Sequence, residues 1–470
     1  MASERPRHAV IFPFMAEGHT IPLLDLSNAL SLRGLKVTVV TTPSNAPQIA
    51  SAISKSSNIS VHIIPFPQAD GLPHGCENTN HISSMDQLLP FFKATLQLRH
   101  PFESFLRGVA GDGCRPICVI TDLLLGWSLP VCRSFDIPGI LFHGMGVLSS
   151  AISRVAFLNA QLVKSSSDTE TLNLPALTSV PFTLARADFP VLVSDDNPVL
   201  ELLAEIGDAD SSCYGVVVNS FAELEGDYVS VLESSYREGT RAWCVGPAFL
   251  YGRIGEERND ELPYYLSWLD ERKGSGNVIY VCFGTQAHLS DLQMEEIALG
   301  LEMAGWPFLW VVKSRSWTPP EGWEERVKGR GLVVRGWVEQ RRILAHAAVG
   351  GFLSHGGWNS VLESLTAGVP LLVWPMGAEQ PLNAKFVVEV LAAGIGIQRR
   401  QDDAGVVERS AICGGVKDLM GGEKGIMATQ KAEEVARAAR RAVEGGGSSS
   451  DRLDQLIKCL TDIRKDMQMC

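Results

Sequence analysis

Two side chains able to move a proton stand at the ends of apolar runs. His19 follows Phe14-Met15-Ala16-Glu17-Gly18, in the loop after the run His8–Phe14 and just before a helical pattern. Asp122 closes the run Cys118–Thr121, inside the apolar stretch Val119 to Trp127. A carboxylate in such surroundings is costly unless it is paired, and an imidazole partner resolves the cost. Asp122 orienting His19, and stabilising the imidazolium that forms, makes a general base for an acceptor hydroxyl.

A second constellation suits the opposite charge. Phe352-Leu353-Ser354-His355-Gly356-Gly357-Trp358-Asn359-Ser360 reads as strand, glycine turn and helix. Gly356 and Gly357 would let backbone approach a ligand where a Cβ would obstruct it. Asn359 and Ser360 are good N-cap residues, Val361, Leu362 and Leu365 mark the buried side, and Gly368 ends the helix. The N–H groups and dipole at such a helix start form an anion site suited to a diphosphate, and His355 can add a hydrogen bond or partial charge. The next strand, Val369–Trp374, runs into Pro375-Met376-Gly377-Ala378-Glu379-Gln380. A carboxylate and an amide at that edge suit a ligand with several hydroxyls. Trp337 offers a flat face for stacking a base, and Glu363 can accept from ribose hydroxyls. Taken singly, a Gly-Gly turn is usually only a turn, a Trp usually core and a Glu usually a solvated charge. The ordered combination is much harder to explain that way.

These residues need strands that end at one edge. Short apolar runs alternate with helical patterns along the chain, which favours α/β architecture with parallel sheets. In the first half the expected strands are His8–Phe14, Lys36–Thr42, Ser60–Pro65, Cys118–Thr121, Gly139–Phe142 and Gly215–Asn219, with a helix over Ile21–Arg33. In the second half they are Asn277–Phe283, Pro307–Val312, Gly331–Gly336, Val349–Ser354 and Val369–Trp374, with a helix over Asp291–Ala304. The expected fold is therefore two Rossmann-like doubly wound domains facing a cleft, with ligands beyond the carboxyl ends of the strands. The expected bounds are 1–246, a polar linker over 247–262, and 263–450. Residues 444–450 read as a flexible Gly/Ser spacer. A helix over 451–470 carries Leu453, Leu456, Ile457, Leu460 and Ile463 as a docking stripe for the N-terminal domain.

Composition narrows the function classes. The 470 residues include 41 basic and 53 acidic side chains, a formal net charge of −12. That balance argues against nucleic acid or an anionic membrane as the main partner. No apolar run reaches 18 residues, and Ala9 to Ala16 is short and broken by Pro13, so neither a membrane span nor a signal peptide is expected. The 10 Cys show no CxxC spacing, which suggests reduced thiols in a cytoplasmic protein and no metal site. No GxGxxG follows the first strand, which argues against hydride transfer. A non-catalytic nucleotide binder would not need a His19–Asp122 dyad.

The 44 residues from Trp337 to Gln380 resemble the sugar-nucleotide signature box of plant UDP-dependent glycosyltransferases, inverting enzymes of the GT-B fold. Phe14 to His19, Asn219 to Glu225, Gly246-Pro247, Trp268-Leu269-Asp270 and Cys282-Phe283-Gly284-Thr285 agree with that family, so the resemblance runs over essentially the whole chain. It implies that Trp337 stacks on uracil and that Val338 meets the base through its backbone. Gln340 and Glu363 would bind ribose. Thr285, His355, Gly357, Asn359 and Ser360 would meet the diphosphate, and Trp358, Glu379 and Gln380 the sugar. Gln380 tilts the donor toward UDP-glucose. Val338-Glu339 stands where Ala-Pro is usual, Glu379 where Asp is usual, and Glu17 where Gln is frequent. The acceptor is expected to be a small, apolar, hydroxylated secondary metabolite, such as a flavonoid-like phenolic or a terpenoid. Its pocket in the N-terminal half would be walled by Met15, Phe91, Phe92, Leu123, Phe142, His143 and Phe189. No cofactor beyond the donor, no metal and no nucleic-acid partner are expected, and a monomer is. O- and C-glycosylation both stay open.

Overall fold

A computed structural model describes residues 7–469 apart from 54–55, 83, 112–114, 169, 176, 178–179, 194–206, 208–212, 253–261, 273, 275, 286, 288, 315 and 398–404. The polar part of the expected linker, 253–261, lies outside the described residues. Among those described, two parallel sheets are formed. The first has the order β3-β2-β1-β4-β5-β6-β7, with β1 His8–Phe12, β2 Lys36–Thr41, β3 Ile59–Ile63, β4 Cys118–Asp122, β5 Gly139–His143, β6 Gly215–Val218 and β7 Arg241–Cys244. The second has the order β10-β9-β8-β11-β12-β13, with β8 Val278–Cys282, β9 Phe308–Val312, β10 Gly331–Arg335, β11 Val349–Ser354, β12 Leu371–Val373 and β13 Gly394–Gly396. Ala9, Val10, Ile11 and Phe12 are all fully buried. A central parallel strand covered by helices on both faces gives that continuous apolar run rather than alternation.

The strand order decides where chemistry can sit. In the first sheet β1 is flanked by β2 on one side and β4 on the other, with Ile11 opposite both Val39 and Ile120. In the second, β8 lies between β9 and β11. Loops leaving β1 and β4, or β8 and β11, run in opposite directions, and a crevice opens between them. His19 and Asp122 follow β1 and β4, whereas Thr285 and His355 follow β8 and β11.

Several expectations shift. The first helix spans Glu17–Leu32, so His19 lies in its first turn rather than in a preceding loop. β7 and β13 were not foreseen. β13 is three residues, Gly-Ile-Gly, and carries no apolar run to notice. The supposed Gly/Ser spacer is largely structural. Ser448 begins the helix Ser448–Met469, and Ser449, fully buried, donates its hydroxyl to the Gly246 carbonyl at 2.5 Å. That helix lays Leu453, Leu456, Ile457 and Leu460 against Ala9, Ile11, Leu23 and Val37 of the first sheet and its helix. Leu456→Ala should therefore cost about 2–5 kcal/mol, read as a lower urea midpoint of unfolding. Among the described residues no helix is long and apolar enough to cross a membrane.

Candidate active site

The dyad forms as the residue types require. His19 Nδ1 donates to Asp122 Oδ2 at 2.8 Å, and Asp122 Oδ1 accepts the Leu124 backbone N–H at 2.9 Å. Asp122 is fully buried, whereas a third of the His19 side chain is exposed. Burial works against a charged imidazole. The Asp122 carboxylate, its hydrogen bond and the more distant Glu379 outweigh it and hold the His19 pKa above its ordinary value. Phe14 presents its ring to His19 edge-on at 5.5 Å and stacks on Phe92 at 5.3 Å. Met15, Phe91 and Phe92 belong to the same apolar cluster, and Leu123, partly exposed, adjoins Asp122.

Three expected acceptor walls lie elsewhere. Side chains alternate across a strand, so Phe142 turns to the opposite face, into the core with Ile140, Trp243 and Leu453. His143 is 2% exposed with both ring nitrogens engaged, by Ser150 at 3.0 Å and Tyr236 at 2.9 Å. Burial, helped by Arg154, lowers its pKa to about 4 and keeps it neutral. Phe189 packs with Phe182, Leu184 and Leu192 in the other core rather than in the cluster beside His19.

On the facing lobe, the helix Trp358–Ala367 begins with Gly357 as N-cap and no side-chain cap, and ends at Gly368 with φ +77°. Asn359 and Ser360 are thus in its first turn, not at the cap, which leaves the helix start to backbone donors and the dipole. The glycines are needed for internal reasons. Gly356 has φ +80°, and a Cβ on Gly357 would come within 2.5 Å of His355 Nε2. His355 Nδ1 is buried without a hydrogen-bond partner. Burial, with Lys313 adding to it, lowers the His355 pKa to about 4, so the ring is a neutral hydrogen-bonding group. Thr285 follows β8 and its carbonyl accepts from Lys313.

The remaining box residues divide by role. Trp337 is 67% exposed, a flat apolar face open to solvent. Val338 is buried and its carbonyl accepts the Gln340 N–H at 3.0 Å. Gln340 Nε2 donates to Ser360 Oγ at 3.0 Å and to Glu363 Oε2 at 2.8 Å. Gln380 Oε1 accepts from the Met376 and Gly377 N–H groups at 2.8 and 3.0 Å, which leaves its NH₂ as donor. Glu379 accepts from Asn383 Nδ2 at 3.1 Å, and burial raises its pKa. Trp358 departs from expectation. Its ring is 2% exposed and its Nε1 donates to the Asn219 carbonyl at 2.9 Å, so the indole fastens the two lobes instead of pointing to a sugar.

Asn359 Nδ2 donates to the Gly18 carbonyl at 2.6 Å, one residue from His19. Pro22 explains why that carbonyl is available. Proline has no N–H, so the carbonyl four residues earlier, that of Gly18, gets no helical bond. The same lobe contact includes two residues that the sequence did not single out. Asn383, fully buried, donates to the Gly356 carbonyl at 2.9 Å and accepts the Ser149 hydroxyl at 2.6 Å. Arg341 binds Asp25 and Glu363. A polar residue beside Leu382, and one of two adjacent arginines, carry no periodic signal that distinguishes them from a solvated face.

The comparisons with known proteins bear on this geometry. A family model described as UDP-glucoronosyl and UDP-glucosyl transferase matches residues 251–403, and one described as glycosyltransferase, N-terminal domain, matches residues 8–249. UDP-glycosyltransferase 73C7 of Arabidopsis thaliana is 38% identical, with 97% of this chain and 98% of that protein covered. Scopoletin glucosyltransferase of Nicotiana tabacum is 37% identical, over 96% and 97% of the two chains. Among solved structures, Glycyrrhiza uralensis UGT73P12 complexed with glycyrrhetinic acid 3-O-monoglucuronide superposes with a TM-score of 0.86 at 30% identity, covering 98% of this chain and 97% of its own. Phytolacca americana UGT2, complexed with UDP-2fluoro-glucose and pterostilbene, gives 0.82 at 28% identity, covering 97% of this chain and 100% of its own.

Proposed function

The chain belongs to the UDP-glycosyltransferase family, and from that premise we propose that it moves glucose from UDP-glucose to a hydroxyl of a small, apolar, phenolic secondary metabolite, inverting the anomeric centre. The observation that carries the reading is the 2.8 Å pair of His19 and Asp122, set one residue from the point where Asn359 grips the Gly18 carbonyl. General base and diphosphate helix therefore share one crevice.

His19 takes the acceptor proton on Nε2 while Asp122 holds Nδ1–H. The acceptor oxygen bonds to the anomeric carbon as the bond from that carbon to the diphosphate breaks on the opposite face, which inverts the centre. The leaving diphosphate is received at the start of the Trp358–Ala367 helix, whose backbone dipoles offset its charge, with the neutral His355 as hydrogen-bonding partner. Trp337 stacks on the uracil, Gln340 and Glu363 hold the ribose, and Glu379 with Gln380 hold the sugar hydroxyls. The aromatic group of Phe14, Phe91 and Phe92 gives the acceptor an apolar floor beside the base. The reaction as written needs only the two substrates.

The scopoletin glucosyltransferase among the relatives supports both the glucose and the acceptor class. The test is incubation with UDP-glucose and a panel of phenols, with the product weighed by mass spectrometry and its anomeric configuration read by NMR. A β-glucoside from the α-linked donor is expected; an α-glucoside, or turnover only with other nucleotide sugars, overturns the reading. Separately, Trp337→Ala should weaken UDP binding about 5- to 150-fold, the worth of about 1–3 kcal/mol for one stacked base, measured by calorimetry.

A further inference from the structure

The Glu17–Leu32 helix meets the nucleotide lobe along one face. Gly18, Pro22 and Asp25 recur at helical spacing on that face. Gly18 is gripped by Asn359; Asp25 is gripped by Arg341, whose Nη1 and Nη2 donate to Oδ1 at 3.1 Å and Oδ2 at 2.6 Å. From the same guanidinium, Nε donates to Glu363 Oε1 at 2.8 Å, while the other Glu363 oxygen is held by Gln340. The Arg341 Cζ lies 4.5 Å from the ring centre of Phe249, in the segment that joins the two sheets. The Asp25 and Glu363 side chains are only 15% and 10% exposed. Carboxylates so far out of water need a partner, and one cation serves both.

We propose that Arg341 is a positioning residue that sets the ribose carboxylate Glu363 and the His19-bearing helix from one rigid fork, so that ribose recognition and the aim of the base are coupled. This rests on the reading of Glu363 as the ribose carboxylate and His19 as the base. The fork matters because three N–H vectors are fixed in one plane, which a lysine ammonium cannot reproduce. Losing Arg341 frees Glu363 to rotate away from the ribose hydroxyls. It also leaves the first helix tied to the nucleotide lobe through Gly18 but no longer at its second turn beyond.

Asp25→Asn weakens only the tie to the helix, by removing the charge and one of the two acceptor oxygens that Arg341 holds. It should lower kcat about 3- to 30-fold, the usual span for a coupling through a packed network, with the UDP dissociation constant within about twofold of the parent. Arg341→Leu should show the same fall in kcat, weaker UDP binding and a reduced preference for UDP over 2′-deoxy-UDP. Arg341→Lys should fail to restore kcat, and the Asp25→Asn/Arg341→Leu double variant should be no slower than Arg341→Leu alone. Thermal melting of each variant reports folding separately, and Asp25→Asn is near-isosteric. An Asp25→Asn enzyme with parental kcat, or kcat losses that multiply in the double variant, overturns the proposal. So does Arg341→Leu with full preference for the ribose 2′-hydroxyl. Glu363→Ala tests the underlying reading by itself: unchanged discrimination between UDP and 2′-deoxy-UDP there removes the ribose assignment, and Asp25→Asn still decides the tie to the helix.

Discussion

Replacing His19 by alanine is expected to lower kcat/KM on a phenolic acceptor by about 10²–10⁴-fold, the range for removing a general base, while UDP binds as before. The separation follows from placement. His19 belongs to the first-sheet lobe, beside Phe14 and Asp122, whereas the residues assigned to uracil, ribose and diphosphate stand on the second. The parent enzyme should also show its dependence on this group as pH changes. A base must be neutral to accept a proton, and the His19 pKa lies above its ordinary 6.5 because Asp122 and Glu379 outweigh the effect of burial. The acid limb of the kcat/KM profile should accordingly fall above pH 6.5. Near-parental turnover by the alanine variant, or an acid limb well below that pH, would remove His19 from the role.

Asp122→Asn is the sharper experiment, because it keeps shape and removes only charge and one acceptor. In the parent the two carboxylate oxygens have different tasks: Oδ1 accepts the Leu124 N–H and Oδ2 the His19 Nδ1–H. An asparagine must keep its carbonyl on the Leu124 side, which turns its NH₂ toward His19. The ring then needs a bare Nδ1, so its proton moves to Nε2, the atom that should receive the acceptor proton. A loss in kcat of up to about 10⁴-fold is expected, the size found when the carboxylate behind a catalytic histidine becomes an amide. The residual activity should have its acid limb at lower pH, since the group that raised the His19 pKa is gone. Turnover within a few-fold of parent would mean that Asp122 merely caps the turn at Leu123–Leu125.

Much of this was legible in one dimension. The strand Val349–Ser354 and the helix Asp291–Ala304 match the expected bounds residue for residue, because an apolar run or a 3.6-residue period closed by Gly305 leaves little freedom. The helix expected over Ile21–Arg33 starts four residues earlier, at Glu17, so Pro22 lies a turn further inside it than the second position expected, where proline is readily tolerated. Phe142 and His143 were placed by being near the end of an apolar strand, which says which edge they occupy but not which face their side chains take.

Residue types and order alone settled the two-lobed parallel architecture, the pairing of an imidazole with a carboxylate, and the helix that opens after the glycine turn at Gly356-Gly357, because strand ends and helix starts are local events. Which atoms cross between lobes came only with the tertiary structure. Arg341 on Asp25, Asn359 on Gly18, the Trp358 indole on Asn219 and Asn383 on Ser149 join residues separated by more than a hundred positions. Such contacts depend on how two sheets are set against each other, and no periodicity along a single chain records that.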